Sequence, residues 1–382
     1  MIYLDNNATT PVDPEVSDAI FSSLKRDFAN PSSSHLSGRK AKELVESCRF
    51  HVAEFLGARH EEIVFTSGGT ESNNLALLGT ALFHGKGHIV TSVIEHPSVL
   101  NTCRHLQSLG FEVTYVPVDH DGIVDLEAFG KSIRPDTILV SIMHANNETG
   151  VIQPVGAIRT VAEGRGVKFH SDAAQSVGKM HFEPAPPPAD LMTIVGHKFY
   201  GPKGVGALYV KTGTRINPIL FGAGHERGLR PGTENVAGIV GLEKACLLTT
   251  RDIELRVAHT SRLRDVFLEG LMSEIPGLVL NGHKTRRLPN TLNVRIPGIY
   301  SGDLVEKIGD RVAVSTGSAC HSGRRSPSSV LKHMGLSDEE ALSSVRLSLG
   351  KGNTDEEIRE AVGIISAAVR ELREKPLPAA TS

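Results

Sequence analysis

The chain has 382 residues, and its 41 Lys+Arg nearly cancel its 43 Asp+Glu, leaving a net charge of −2. That balance argues against a protein that coats nucleic acid or an anionic membrane by bulk charge. With no Trp and only 5% aromatic residues, platforms for stacking single-stranded bases are not expected either. The length suits roughly two domains with a self-sufficient core. The four cysteines, Cys48, Cys103, Cys246 and Cys320, form no CxxC pair and are too sparse for a disulfide scaffold. No metal-ligand set is predicted. No apolar run reaches the roughly 18 residues of a membrane helix. The opening MIYLDNNATT lacks a basic start and an apolar stretch, so a cytoplasmic, reducing setting is expected.

In chain order, β-rich runs fall at 63–66, 88–94, 112–117, 137–143, 168–170, 191–195 and 206–210. Helical patterns alternate with them, from near Thr70, over 98–109 and over 155–163. Such alternation marks α/β architecture with a mostly parallel sheet. Glu183-Pro-Ala-Pro-Pro-Pro188 reads as a rigid surface turn. After about Asn235 the pattern shifts to a long helix over 236–275, then short strands at 291–295, 312–315 and 345–349, and a final helix over 354–373. The expected division is an N-terminal segment 1–30 packing with a small domain, a large domain 31–240, a small α+β domain 241–374 and a disordered tail 375–382.

Three polar clusters follow strands, where open α/β sheets gather function. Thr66-Ser-Gly-Gly-Thr-Glu-Ser72 offers glycines, hydroxyls and a helix start, which together suit an anion. Phe169-His-Ser-Asp-Ala-Ala-Gln-Ser176 leaves Asp172 just past a buried run, where a carboxylate needs a cationic partner. Ile194-Val-Gly-His-Lys198 sets Lys198 where desolvation can free its amine to attack an aldehyde. Lys203 competes for that role, but its Pro-Lys-Gly turn suits exposure. A lysine, a carboxylate and a phosphate cradle together point to pyridoxal 5′-phosphate (PLP).

With these motifs the chain resembles the cysteine desulfurases, in the class V group of fold-type I PLP enzymes, and within them the iron–sulfur-assembly branch. The resemblance runs from Tyr3-Leu-Asp-Asn-Asn-Ala-Thr-Thr-Pro11 through Asn30-Pro-Ser-Ser, Glu95-His96, Ala145-Asn-Asn-Glu-Thr-Gly150, Gly196-His-Lys198 and Arg230-Pro-Gly-Thr-Glu-Asn235. It closes on Ser315-Thr-Gly-Ser-Ala-Cys320 and Arg346-Leu-Ser-Leu-Gly350. The fold it implies is a large domain with a mainly parallel seven-stranded sheet between helices, plus a smaller α+β C-terminal domain. It also implies PLP covalently bound to Lys198, with Asp172 on the ring nitrogen, Gln175 on the ring oxygen and His96 stacked on the ring. Gly69, Thr70, Val195, Gly196 and His197 would bind the phosphate, joined by Thr233 from the partner of a homodimer. Arg346 would grip the substrate carboxylate, Asn147 would sit near cofactor and substrate, and Asn7 and Asn30 would line the pocket.

By the same resemblance, Cys320 is the thiol that takes sulfur from L-cysteine as a persulfide, leaving L-alanine, and passes it to an acceptor or scaffold protein. A transient iron–sulfur ligand role at Cys320 is also implied. Positive charge at His321, Arg324 and Arg325 favours its thiolate. The other cysteines lie in helical apolar patterns and read as core. The loop departs from the branch's Leu-Glu-Pro-Ser, having Arg325-Ser-Pro-Ser328, and Cys320-His-Ser322 also resembles selenocysteine lyases. Release of selenium from L-selenocysteine is therefore the alternative reading, and a PLP aminotransferase a further one.

Overall fold

The computed structural model describes residues 1–181, 187–316 and 326–374. Cys320 and its neighbours, most of the proline-rich turn and the tail from 375 lie outside the described residues.

The strands are β1 (Ile2–Tyr3), β2 (Ile63–Thr66), β3 (His88–Ser92), β4 (Glu112–Val116), β5 (Thr137–Ser141), β6 (Lys168–Asp172), β7 (Leu191–Val195) and β8 (Gly206–Val210), then β9 (Val279–Leu280), β10 (Thr291–Arg295), β11 (Val312–Ala313) and β12 (Ser344–Ser348). The longer helices are α1 (Pro14–Arg26), α2 (Leu36–Leu56), α3 (Gly69–His84), α4 (Pro97–Ser108), α5 (Leu126–Ser132), α6 (Val155–Gly164), α7 (Val236–Glu274) and α8 (Ser301–Ile308). Short α9 (Ser329–His333) and α10 (Asp338–Leu342) precede the final α11 (Asp355–Glu374).

Seven strands form one sheet in the order β2-β8-β7-β6-β5-β3-β4. Pairing is parallel from β4 through β7, while β8 runs antiparallel to both β7 and β2. Strands β2, β3 and β7 are buried along their whole length, as expected where helices cover both faces. The double reversal at β8 matters for function. It returns β2 to the direction of β7, so the carboxyl ends of β2, β3, β5, β6 and β7 all open on one edge.

A second sheet, β12-β10-β9, is antiparallel and centred on β10. Its core takes Leu292, Val345 and Leu347 together with Ile2 and Leu4 from the N-terminus. Val16 and Ile20 of α1 pack instead with β7 and the start of α7. The 39-residue α7 spans about 58 Å at 1.5 Å per residue. Ile239, Leu242 and Leu248 on its first half belong to the core of the large sheet, and Leu263, Phe267 and Leu271 on its second half belong to the core of the small one.

Cys48, Cys103 and Cys246 are buried in helices. Burial pushes the Cys48 and Cys103 thiols up to about 12, so both are neutral packing groups.

The loop leading to Thr233 is anchored by a buried ion pair. Glu226 sits at φ 46, followed by Arg227 at φ 56. Its carboxylate accepts from both Nη atoms of Arg49 at 2.6 and 2.7 Å and from the Phe65 N–H of β2 at 2.8 Å. Removing one partner strands the other charge away from water. Glu226→Ala is expected to lower the unfolding free energy by about 3–5 kcal/mol, read as a lower urea midpoint at unchanged slope. A loss below about 1 kcal/mol, the range of an exposed pair, would contradict the role given to this ion pair.

Candidate functional site

Strand ends supply most of the site. Asp172 ends β6 and pairs in register with Thr193 of the neighbouring β7. β7 ends at Val195, and a single 3-10 turn, Gly196–Lys198, follows it directly. The carboxylate and the amine are therefore carried by adjacent parallel strands. Past β2, α3 begins on Gly68 at φ 141, with no side chain capping it, so its first N–H groups stay free for an anion. A Cβ at Gly69 would stand 2.8 Å from Val195 Cγ2, which is why only glycine lets α3 start so close to β7.

These ends surround a cavity of about 420 Å³. Of the residues singled out from sequence, Asn7, Gly69, Thr70, His96, Asn147 and Asp172 line it, as do Gln175, Val195, His197, Lys198 and Arg346. Gly196 is buried but off the wall. Asn30 and Thr233 are exposed and away from this cavity. Asn30 instead turns its Oδ1 to the Ser32 N–H at the loop before α2. Lys203 is exposed, leaving Lys198 as the lysine of the cavity wall.

Lys198 Nζ donates to the backbone carbonyls of Asn7 and Ala8, each at 2.8 Å. Burial, reinforced by the charge of Arg346, lowers its pKa to about 8. Asp172 accepts from Asn73 Nδ2 at 2.7 Å and from the Ala174 N–H at 2.9 Å. Asn73 also donates to Ser98 Oγ at 2.8 Å, and Ser98 Oγ lies 2.7 Å from His96 Nδ1. The Ser98 backbone N–H donates to the same Nδ1 at 3.1 Å. Nδ1 is thus an acceptor, and burial holds the His96 pKa below its ordinary value. The neutral ring then carries its proton on Nε2. His197 is pushed to about 4, first by burial and then by Lys198, and bonds Thr9 Oγ1 at 3.1 Å.

Arg346 sits in β12 opposite Asn293. One Nη donates to the Asn147 carbonyl at 3.1 Å and the other meets Asp5 at 2.6 Å. Its Nε is buried with no partner among the described residues. Arg346 lines the cavity, so a carboxylate entering it meets a guanidinium that Asp5 already shares.

Sequence reading missed Asn73, Ser98, Asp5 and Lys179. Asn73 stands one helical turn after Thr70, and that i,i+3 spacing was the available signal. Lys179 lies between Gly178 and Met180, and a lysine in so apolar a stretch was the signal there. Gly178 has φ 78, and a Cβ on it would fall 2.3 Å from Phe199 Cβ, so the turn that delivers Lys179 depends on glycine.

The donor set fits PLP. An uncapped helix start at the cavity wall suits a phosphate, an anchored carboxylate suits a ring nitrogen, and an amine of lowered pKa suits an aldehyde. Among the described residues, no helix is long and apolar enough to cross a membrane.

Comparisons with known proteins place the chain in a family. The sequence profile described as aminotransferase class-V matches residues 2–360. A cysteine desulfurase IscS of Mannheimia succiniciproducens is 47% identical over 381 residues, covering 98% of this chain and 94% of that protein. A solved NifS-like protein superposes with TM-score 0.90 at 37% identity, covering 97% of this chain and 99% of that one. The structure titled SspA in complex with cysteine has TM-score 0.81 at 37% identity, over 93% of this chain and 100% of that one. A profile match over most of the chain, with end-to-end likeness to such proteins, settles the family: the chain belongs to the class-V aminotransferases.

Proposed function

We propose that the protein is a PLP-dependent cysteine desulfurase. It converts L-cysteine to L-alanine, takes the sulfur onto Cys320 as a persulfide and hands it to an acceptor or scaffold protein for iron–sulfur cluster assembly. It acts as a cytoplasmic homodimer. The observation that carries this reading is one cavity holding the Lys198 amine, the Asp172 carboxylate and the Arg346 guanidinium together. The desulfurase names of the curated relatives favour cysteine over selenocysteine, so the selenocysteine lyase reading is not kept.

When bound, PLP supplies an electron sink conjugated to the amino-acid Cα. Lys198 is the residue that holds it covalently. Asp172 meets the ring nitrogen, Gln175 the ring oxygen and His96 the ring face. Gly69, Thr70, Val195, Gly196 and His197 take the phosphate, with Thr233 of a second copy reaching in. That role suits the exposure of Thr233 on its own chain. Arg346 takes the substrate α-carboxylate across the edge it now shares with Asp5, flanked by Asn7 and Asn147. Freed by the substrate amine, Lys198 accepts the Cα proton, which its lowered pKa permits near neutrality. The Cys320 thiolate then attacks the substrate sulfur. The Cβ–S bonding pair stays on Cβ, which takes up a proton, sulfur leaves as the Cys320 persulfide, and Lys198 returns its proton to Cα to give alanine. His96, neutral with its proton on Nε2, is placed to donate or take a proton.

Three outcomes are expected. After borohydride reduction, mass spectrometry of wild type finds PLP mass on the Lys198 peptide, whereas Lys198→Ala retains none; label on another lysine would move the anchor. Cys320→Ala keeps bound PLP but forms no alanine from L-cysteine, while an aminotransferase would be indifferent to that change. Finally, covalent uptake of PLP by the stripped protein needs the neutral amine. Its rate therefore rises about tenfold per pH unit below pH 8 and levels off above. A stopped-flow profile flat between about pH 6 and 9 would assign the Lys198 amine a different pKa.

A further inference from the structure

Lys179 is buried, 8% exposed, and no carboxylate among the described residues lies within ion-pair distance of it. Its Nζ donates to Gln175 Oε1 at 2.5 Å and to Asn7 Oδ1 at 2.8 Å. Burial, with Lys198 and Arg346 adding to it, holds its pKa well below the ordinary value. Such a group is costly to bury for packing alone, and a methionine would fill the space at less cost.

The hydrogen bonds show what it does. A lysine amine beside two amide oxygens serves as donor to both, and the backbone carbonyl of Asn7 can only accept. Gln175 lies between the two. Its Nε2 donates to the Asn7 carbonyl at 3.0 Å, while its Oε1 takes Lys179. Flipped, the amide would lose the Lys179 bond to its Oε1 and set its C=O against the Asn7 carbonyl. One orientation therefore survives, with one Nε2 hydrogen on Asn7 and the second without a partner among the described residues. Gln175 lines the cavity, so that hydrogen is available to an occupant.

We infer that Lys179 is a positioning residue that locks the Gln175 amide, so that Gln175 offers an N–H rather than a carbonyl to an acceptor oxygen on the bound ring. This rests on the reading above, in which PLP occupies the cavity with its ring oxygen at Gln175.

Equilibrium dialysis of the stripped full-length protein tests it, using PLP and 3-deoxypyridoxal 5′-phosphate, which keeps aldehyde and phosphate but lacks the ring oxygen. Wild type is expected to prefer PLP by about tenfold. In Lys179→Met only the Asn7 carbonyl still orients the amide, so the flipped form gains population and the preference shrinks to within about twofold. In Gln175→Glu, Lys179 takes one carboxylate oxygen and the other faces the ring oxygen as an acceptor, so the analogue becomes the better ligand. A purely structural role for Lys179 would weaken both ligands equally and leave the ratio unmoved, which overturns the inference. Retention of the wild-type preference by Gln175→Glu overturns it as well, and decides the matter alone should Lys179→Met not fold. If wild type takes up neither compound, the cofactor reading itself fails, and this inference with it.

Discussion

Every polar group of Asn7 is spent on holding the site together. Its N–H goes to Ser348 Oγ of β12, and its side-chain N–H groups go to Thr291 and to the Asn147 carbonyl. Its side-chain oxygen accepts from Lys179 and Asn290, and its backbone carbonyl accepts from Lys198 and Gln175. One buried residue from the N-terminal segment thus ties the lysine and glutamine of the large sheet to both longer strands of the small one. A group so fully committed cannot shift without stranding several partners away from water, which is what fixes the geometry of the cavity.

The charges around that residue follow from it. Lys179, Lys198 and Arg346 converge on the region with Asp5 and Asp172 as the nearby acids, and the amines of Lys179 and Lys198 are lowered chiefly by burial. Burial disfavours charge on both amines, so the Arg346 guanidinium, shared with Asp5, is the standing cation that an entering carboxylate meets. Elsewhere burial acts on acids instead. Glu95, beside His96, is pushed up to about 8 and accepts from Ser92 Oγ and the Met143 N–H. Kept neutral below that value, it ties the ends of β3 and β5 without adding charge to the cavity.

Much of this was legible in the sequence. The strands starting at Ile63, His88, Glu112, Thr137, Lys168, Leu191 and Gly206 begin at the residues expected, with the buried β-branched runs of β2 and β3 leaving the least choice. Asp172 and Lys198 were legible because a carboxylate and a lysine just past buried strands need a reason to be there. The direction of β8 was not, since local pattern does not tell parallel from antiparallel pairing in a fully buried strand. Nor was the support of Asp172 by Asn73, or of Gln175 by Lys179. An amide or amine that acts by orienting another side chain leaves no periodic or compositional mark. The change of composition near Asn235 is real, but α7 starts there and runs on through both cores, so the chain passes from one sheet to the other inside a helix.

That continuous helix has a mechanical consequence. Because α7 gives one half of its length to each core, neither sheet can lose its packing without exposing apolar surface on a rod the other still grips. Melting is then a joint event, and the two lobes share one cooperative unit despite having separate cores. The rod thus joins the two lobes by a strut, while the Asn7 bonds hold the cavity between them.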